Sequence, residues 1–399
     1  MISVRKSFML CAVVALLIPV MTVSAHAQAK ANVVVKEWHI PSPYHLSGPL
    51  AGFAESHKWL TEKVIADINA EGGIAGRPVV TEYCDSALDP TKAAACVAKA
   101  IDAGALASNG PMNDMEVKSA MPLVVRAQGP FIFSGTCTDV VAKQFFPWTI
   151  YSFGPTDENI KYQMELWYKH EPGIKSVVDL EEPVFPMVHI MMAGFLKQFD
   201  EMKVKTNGIV QVPSGMVDYN SVVVRAMGTG ANAFIIGATG PIAAKLVKGL
   251  VSRGANPKYI YMMGGGFVGP EFLAEAKGSD EGIYSGSSPT YASNPIEAKY
   301  MKEYRDSHGG RPWGGLTTAT YDMWHMIKAA IEHQGITGDP AKLKEERIKI
   351  KDYAINQKDF HGLDATYDVV NGLAAGSPQR LFQIHNDEAV LLEELRPKR

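Results

Sequence analysis

Short runs of β-branched and aromatic residues alternate along this chain with segments whose apolar residues recur at helical spacing. In residues 53–70 the apolar residues with that spacing are Phe53, Leu60, Val64, Ile65 and Ile68. Strands are predicted at Val33-Val34-Val35, VVTEYCD, FIFSG, SVVDL, GIVQV, AFIIGATG and YIYMMGGG, with helical segments between them. This alternation predicts an α/β protein, and its two successive series predict two doubly wound lobes with parallel sheets.

Two of the predicted helices have clear limits in the sequence. Asp89 and Pro90 are typical of the N-cap and first position of a helix, which continues through KAAACVAKAI. A further helix is predicted over residues 117–126.

The loops that follow the strands are the candidate ligand site. In open α/β sheets, ligands bind beyond the carboxyl ends of the strands, where loops run into helix N-termini. The corresponding loops here are HIPSPYHLSGPL, GPMNDM, SGTCTD, EEPVF, GATGP and GGGF.

The N-terminus has the features of a secretory signal peptide over residues 1–27. Arg5 and Lys6 precede an uncharged apolar run at residues 8–23, and Ala25-His26-Ala27 provides a cleavage site after Ala27. An uncleaved membrane anchor is the alternative, but the run is short for a bilayer span and contains Pro19. We therefore expect export to the periplasm.

Length and charge limit the organisation and the partners. With 399 residues, two domains are expected. The formal net charge is −3 at pH 7 and no basic block occurs, so nucleic acid and anionic lipid are not expected partners.

The cysteines predict one disulfide. Cys84 and Cys96 flank CDSALDPTKAAAC, and export places them where pairing is favoured. Two buried thiols are the alternative. The sequence has no CxxC and no HExxH motif, and its histidines do not cluster, so neither a metal nor another cofactor is expected.

The motif search does not indicate an enzyme. Gly264, Gly266 and Gly269 spell a dinucleotide fingerprint, but Pro270 follows directly and an exported protein lacks access to nucleotide pools. No P-loop and no G-x-S-x-G sequence occurs, and Ser134 has no histidine that can be assigned to it. The glycines fit the wall of a cavity better, with an ordinary loop of positive φ as the alternative.

Several longer segments carry a family resemblance. HLSGPLAGFAE, VIADINAEGGIAGRPV and YCDSALDPTKAAACVAKAI resemble the exported solute-binding proteins of branched-chain amino-acid ABC importers, which have the type I periplasmic-binding fold. The similarity continues through DYNSVVVRAM and TTATYDMWHMIKAAIEHQG to about KDFHGLDATYDVVNG.

This resemblance implies two lobes joined by three hinge crossings, near residues 151–156, 284–289 and 355–362. Lobe one is then 28–152 plus 287–356, and lobe two is 153–286 plus 357–399. It also implies a monomer that captures a small solute between closing lobes and presents it to permease subunits in the inner membrane. A ligand-sensing subunit for a membrane receptor is an alternative role.

The resemblance also assigns candidate ligand-binding residues. The aromatic wall falls on Phe53, and the lobe-one site for a ligand carboxylate falls on the pair Asn113-Asp114 with Thr136 and Thr138. In lobe two the corresponding positions are Phe185, Thr239, and Gly266 with its neighbour Phe267.

One departure from the family pattern bears on the ligand. Amino-acid binders of this family place an acidic residue in lobe two to meet the ligand ammonium, and here that place falls at or beside Gly266. An ammonium buried without a counter-charge costs several kcal/mol. We therefore favour an aromatic or branched aliphatic carboxylate. An amino acid held by another acid, or an amide or polyamine-like solute facing Asp114, remains open.

Overall fold

The computed structural model describes residues 33–48, 50–134, 138–183, 186–264, 268–287, 290–314 and 316–397. The described strands, numbered β1 to β17, are Trp38–His39, Ser42–Tyr44, Val79–Val80, Tyr83–Asp85, Ala107–Asn109, Phe131–Ser134, Thr149–Tyr151, Ser176–Glu181, Lys205–Gln211, Ala233–Gly237, Ile260–Met262, Tyr284–Ser285, Phe360–His361, Thr366–Val370, Leu373–Ala375, Gln379–His385 and Glu388–Leu395. The described α-helices, numbered α1 to α12, are Ala51–Ala70, Pro90–Asp102, Asp114–Ala127, Asp139–Phe145, Thr156–His170, Pro186–Glu201, Asn220–Gly228, Gly240–Val251, Pro270–Ala276, Pro295–Ser307, Thr318–His333 and Leu343–Ile355.

Most strands assemble into two sheets. One sheet has seven strands in the order β17-β16-β12-β11-β10-β8-β9, and the other has six in the order β13-β14-β15-β7-β6-β5. The inner pairs of both sheets are parallel, whereas β13, β14, β16 and β17 add antiparallel pairs. The predicted α/β class with two doubly wound sheets is confirmed.

Alternating residues explain why helices cover both faces of each sheet. Val178 and Leu180 of β8 join one apolar cluster, with residues of α7, α8 and α9, while Val177 joins another with α5 and α6. In the six-stranded sheet, Phe131 packs toward α1 and α11, and Ile132 packs toward α3 and α4. Side chains alternate between the two faces of a strand, so both faces must be buried.

Three connections join the two sheets. They are residues 152–155, the stretch between Ser285 and Pro295, and residues 376–378. The third lies later than expected, because β15 pairs with β7 through Leu373 and Tyr151 and β14 pairs with β15. Residues 360–375, expected in lobe two, therefore belong to the sheet of lobe one.

Other local predictions differ in smaller ways. Val33-Val34-Val35 forms no strand, since Val34 makes a single backbone hydrogen bond to Thr337 and Val33 and Val35 pack against the core. VVTEYCD divides into β3 and β4, which pair with different partners. The helix predicted over 117–126 extends to Asp114–Ala127 as α3.

The expected disulfide is confirmed: Cys84 of β4 is bonded to Cys96 of α2, with the two Cα atoms 5.8 Å apart. In the described part of the chain, no helix is both long and apolar enough to cross a membrane. The predicted signal peptide, residues 1–27, lies outside the described residues.

Candidate functional site

A cavity of about 210 Å³ lies where the three connections pass between the two sheets. Each connection contributes to its wall: the first through Phe153, the second through Ser287 and the third through Ser377. The loop between α10 and α11 adds Trp313 and Gly314. Residues from both sheets thus enclose one space, as expected for a site between two lobes.

Several of the residues that line the cavity are apolar. They include Met187 and Met191 of α6, Met263 after β11, Phe382 of β16 and Trp313. Methionine side chains adapt to irregular shapes, so these residues suit an apolar ligand body.

Gly264 also lines the cavity, and space explains why it is a glycine. A Cβ there would lie 3.3 Å from the Gly286 carbonyl carbon and from Ser287 Oγ. The positive-φ glycines do not include Gly264. The close approach of the second connection, and not a left-handed backbone, therefore favours a glycine here.

Arg380 is one of the polar residues that line the cavity. Its Nη1 donates to both carboxylate oxygens of Asp364 at 2.8 Å, and its Nε donates to Glu394 Oε2 at 2.8 Å. The guanidinium carbon lies 5.3 Å from the ring centroid of Tyr291. Arg380 is thus held in place by two ion pairs and one aromatic face.

Two further carboxyl groups, those of Glu297 and Asp322, also line the cavity. Burial, together with the charge of Asp364, raises the pKa of Glu297 to about 7, although Ser293 N and Oγ both donate to it at 2.7 Å. Burial raises the pKa of Asp322 to about 8, and its Oδ1 accepts a bond of 2.6 Å from Leu363 N. These groups change protonation near neutral pH.

Three of the predicted lobe-one residues come together at the ends of β5 and β6. Asn113 caps α3 by accepting from Met115 N at 3.0 Å. Asp114, the first residue of α3, accepts from Thr138 N at 2.5 Å and from Thr138 Oγ1 at 2.8 Å. Burial raises the pKa of Asp114, and the bonds from Thr138 act in the opposite direction.

The seven-stranded sheet has a similar arrangement around Thr239, the residue before α8. Thr239 N and Oγ1 donate to Glu182 Oε2 at 2.7 and 2.9 Å, and Ser214 Oγ donates to Glu182 Oε1 at 2.8 Å. Glu182 is 3% exposed. It lies in the EEPVF loop, which the sequence had marked, but its role as the partner of Thr239 was missed.

Phe53 lies one layer behind the cavity wall. Its Cδ2 is 3.7 Å from the position of a Cβ at Gly314, and its ring stacks on His45 with a centroid distance of 6.1 Å. Thr136, Phe185, Gly266 and Phe267 lie outside the described residues. Phe53, Asp114, Thr138 and Thr239 do not line the cavity.

The sequence analysis missed four charged residues that do line the cavity: Glu297, Asp322, Asp364 and Arg380.

Metal binding finds no support in the described residues, where no group of three His, Cys, Asp or Glu side chains is arranged to hold an ion. Asp364, one of the carboxyl groups that line the cavity, pairs with Arg380.

A family model described as "Periplasmic binding protein" matches residues 37–368. Among curated proteins, Leu/Ile/Val-binding protein homolog 2 of Brucella abortus is 22% identical over 290 residues, which cover 71% of this chain and 76% of that protein. Homolog 8 of the same organism is 26% identical over 298 residues, covering 70% and 72%.

Solved structures are similar over nearly the whole fold. A leucine-binding protein of Thermotoga maritima has a TM-score of 0.75 at 20% identity, covering 91% of this chain and 99% of that one. A branched-chain amino acid transporter substrate-binding protein of Streptococcus pneumoniae, solved with isoleucine, has a TM-score of 0.75 at 19% identity, covering 91% and 100%. A solute-binding protein of Rhodopseudomonas palustris, solved with benzoate, has a TM-score of 0.73 at 17% identity, covering 91% and 97%.

Proposed function

This chain belongs to the periplasmic binding protein family, and we propose that it is the exported solute-binding component of an ABC importer. In this role it captures a small carboxylate-bearing solute, aromatic or branched aliphatic, between two closing lobes. The observation that carries the proposal is the cavity of about 210 Å³ enclosed by both sheets and all three connections. Similar proteins have been solved with isoleucine and with benzoate, which are both small carboxylates.

The lobes follow the sheets. Lobe one comprises residues 28–152 and 287–375, and lobe two comprises 153–286 and 376–399; this differs from the sequence-based division only in 357–375. Since the three connections are short, the lobes can rotate about them as rigid bodies, and a ligand that contacts both lobes favours the closed arrangement.

The cellular setting follows from the same role. We propose that removal of residues 1–27 releases the chain into the periplasm, where it acts as a monomer. Its partners are then the permease subunits of the inner membrane, which recognise the closed lobes.

Native mass spectrometry of the purified protein tests the proposal. We expect a retained solute, or a raised melting temperature with at least one aromatic or branched aliphatic carboxylate in a thermal-shift screen that also contains amino acids and amides. A protein that retains nothing and responds to no solute contradicts the proposed function. A response limited to leucine, isoleucine and valine would instead favour an amino-acid carrier.

A further inference from the structure

We infer that Gln163 of α5 is a ligand-binding residue of the cavity, which donates a hydrogen bond from its side-chain amide to a carboxylate oxygen of the solute. Tyr261 acts as a positioning residue, because its hydroxyl fixes the direction in which that amide points. The inference rests on the proposed function and deepens it, since it names a side chain that meets the solute carboxylate.

Helix α5 supplies three polar side chains to the cavity. Thr156, Asn159 and Gln163 all line it. They are spaced by three and then four positions along the helix, so they lie on the same face of α5. This face of the helix is therefore a source of hydrogen-bonding groups for a solute.

Asn159 uses both ends of its amide within the protein. Its Nδ2 donates to the Gly154 carbonyl at 3.2 Å, and its Oδ1 accepts from Gln379 Nε2 at 2.5 Å. Gly154 belongs to the first connection, and Gln379 directly follows the third. The Asn159 amide is therefore engaged with two of the connections between the sheets.

Gln163, by contrast, is held at one end of its amide only. Its Oε1 accepts from the Tyr261 hydroxyl at 2.9 Å. Tyr261 is fully buried, and its ring packs against Trp167 and Phe195 with centroid distances of 5.2 and 5.9 Å. Among the described residues, Gln163 Nε2 has no hydrogen-bond partner.

The chemistry of Tyr261 determines which end of the Gln163 amide is left for the cavity. A phenol has one proton to donate, which the amide oxygen accepts and the amide nitrogen cannot. With the amide reversed, that proton would have no acceptor in the described part of the chain, and an unpaired buried donor costs about 1–3 kcal/mol. Burial also raises the pKa of Tyr261, so the hydroxyl keeps its proton. The donor end of Gln163 therefore remains for a solute.

Gly286 of the second connection restricts the same amide. A Cβ at Gly286 would lie 2.6 Å from Gln163 Oε1 and 2.6 Å from the Tyr261 hydroxyl oxygen. The backbone of the connection thus packs against the oxygen end of the amide. Gln163 is consequently held by the core of lobe two and by the hinge, which is the rigidity that a specific hydrogen bond to a solute requires.

The other charged groups of the cavity favour Gln163 as the partner of a carboxylate. Arg380 is already paired with Asp364, so its positive charge is compensated. The carboxyl groups of Glu297, Asp322 and Asp364 repel an anion when they are ionised. The Gln163 amide has no negative charge and donates to either oxygen of a carboxylate.

Benzoate and benzamide test the inference, because they share a ring and only benzoate has a carboxylate. Dissociation constants for both are measured at pH 8 with the parent protein, Gln163→Glu and Tyr261→Phe. We expect Gln163→Glu to raise the ratio of the benzoate constant to the benzamide constant by about tenfold or more, because an anion replaces the amide donor. A purely structural role of Gln163 would change both constants by the same factor.

Tyr261→Phe keeps the ring in the core and removes the hydroxyl that orients the amide. It should raise the benzoate constant about three- to tenfold, since the Gln163 donor is no longer directed into the cavity. Gln211→Glu is the matched control, because Gln211 is exposed on β9 and the substitution adds the same charge to the same lobe. Its ratio should equal that of the parent protein.

A crystal structure of the parent protein with benzoate should show a carboxylate oxygen within about 3.2 Å of Gln163 Nε2. If the screen identifies a carboxylate that binds more tightly than benzoate, that acid and its primary amide take the place of the pair. Circular dichroism establishes that each variant is folded. If Gln163→Glu does not fold, Tyr261→Phe and the crystal structure decide the question.

Three results would overturn the inference: a ratio that changes less than twofold in folded Gln163→Glu, an unchanged benzoate constant in Tyr261→Phe, or a bound carboxylate that does not contact Gln163. Each of them requires a parent protein that binds a carboxylate, so the proposed function would survive. A parent protein that binds no carboxylate contradicts the proposed function, and this inference with it.

Discussion

Arg380 of β16 donates from Nη1 to both carboxylate oxygens of Asp364, which precedes β14, and so connects the seven-stranded sheet to the six-stranded sheet beside the third connection. The same guanidinium binds Glu394 of β17 through Nε. Its side chain is 10% exposed, so the ion pairs are largely protected from solvent. This residue therefore joins parts of the chain that lie on both sides of the third connection.

Replacing Arg380 with methionine should lower the free energy of unfolding by about 3 kcal/mol, because it leaves Asp364 partly buried without this counter-charge and leaves Glu394 paired only with Arg396. Chemical denaturation measures the effect. Adding Asp364→Asn to Arg380→Met should recover part of the loss, since the unpaired charge is removed. Equal and fully additive losses would show that the two side chains do not interact.

Glu297 makes the stability of the protein dependent on pH. Its pKa is raised from 4.5 to about 7 in the folded state, so the folded state binds a proton more tightly than the unfolded state. Protonation of Glu297 therefore contributes fully to the free energy of unfolding below about pH 4.5. This contribution is lost as the pH rises to 7, and the free energy of unfolding falls by at most about 1.4 kcal/mol per pH unit.

Glu297→Gln should therefore flatten the dependence of unfolding free energy on pH between about 4.5 and 7. Asp322→Asn is the matched comparison, since the pKa of Asp322 is about 8 and its effect extends to higher pH. Denaturation curves at closely spaced pH values distinguish the two. An unchanged slope in Glu297→Gln would contradict the assignment of this proton to Glu297.

Asp179 on β8 should be destabilising. Its side chain is fully buried, and neither carboxylate oxygen has a hydrogen-bond partner among the described residues. Burial, with a further contribution from Glu181, raises its pKa well above the usual range. The folded state thus loses stability as the pH rises above the ordinary range of an aspartate.

Asp179→Val should raise the free energy of unfolding by about 1–3 kcal/mol, since it removes an unpaired polar group from a strand interior. The gain should be larger at pH 8 than at pH 5. Asp179→Asn removes the ionisation but keeps a polar group, and so should remove the pH dependence with a smaller gain. A loss of stability in Asp179→Val at both pH values would disprove the prediction.

Arg311 pairs with Glu271 and lies close to Glu55, and we expect these contacts to favour the closed arrangement. Its Nη2 lies 3.1 Å from Glu271 Oε1 on α9, and its Nη1 lies 4.0 Å from Glu55 Oε2 on α1, so it joins elements that pack on different sheets. Because these side chains are about half exposed, the pair contributes little, on the order of 0.2–1 kcal/mol.

Arg311→Ala should therefore weaken solute binding about two- to fivefold at low salt, with a smaller effect at high salt. Small-angle scattering without ligand should show a more open average shape. Glu271→Gln should reproduce both effects, and the double variant should add little to either single variant. Full additivity in the double variant would argue against a direct Arg311–Glu271 contribution.

The family resemblance, and not a local pattern, placed the crossings near residues 151–156, 284–289 and 355–362. The pairing of Leu373 with Tyr151 joins residues more than 200 positions apart, and no local propensity encodes such a contact. The sequence therefore could not show that β13 to β15 join the six-stranded sheet.

The sequence alone determined the α/β class, the alternation that requires two-sided sheets and the loops at the strand ends, since these depend on local periodicity and turn chemistry. It also predicted the disulfide between Cys84 and Cys96, with two buried thiols as the alternative. Only the tertiary structure showed that Asp114 accepts hydrogen bonds from Thr138 and that Glu182 accepts them from Thr239. It also showed that Arg380 pairs with Asp364 at the cavity. These relationships depend on which strand ends become neighbours in a sheet, and long-range pairing of strands sets that order.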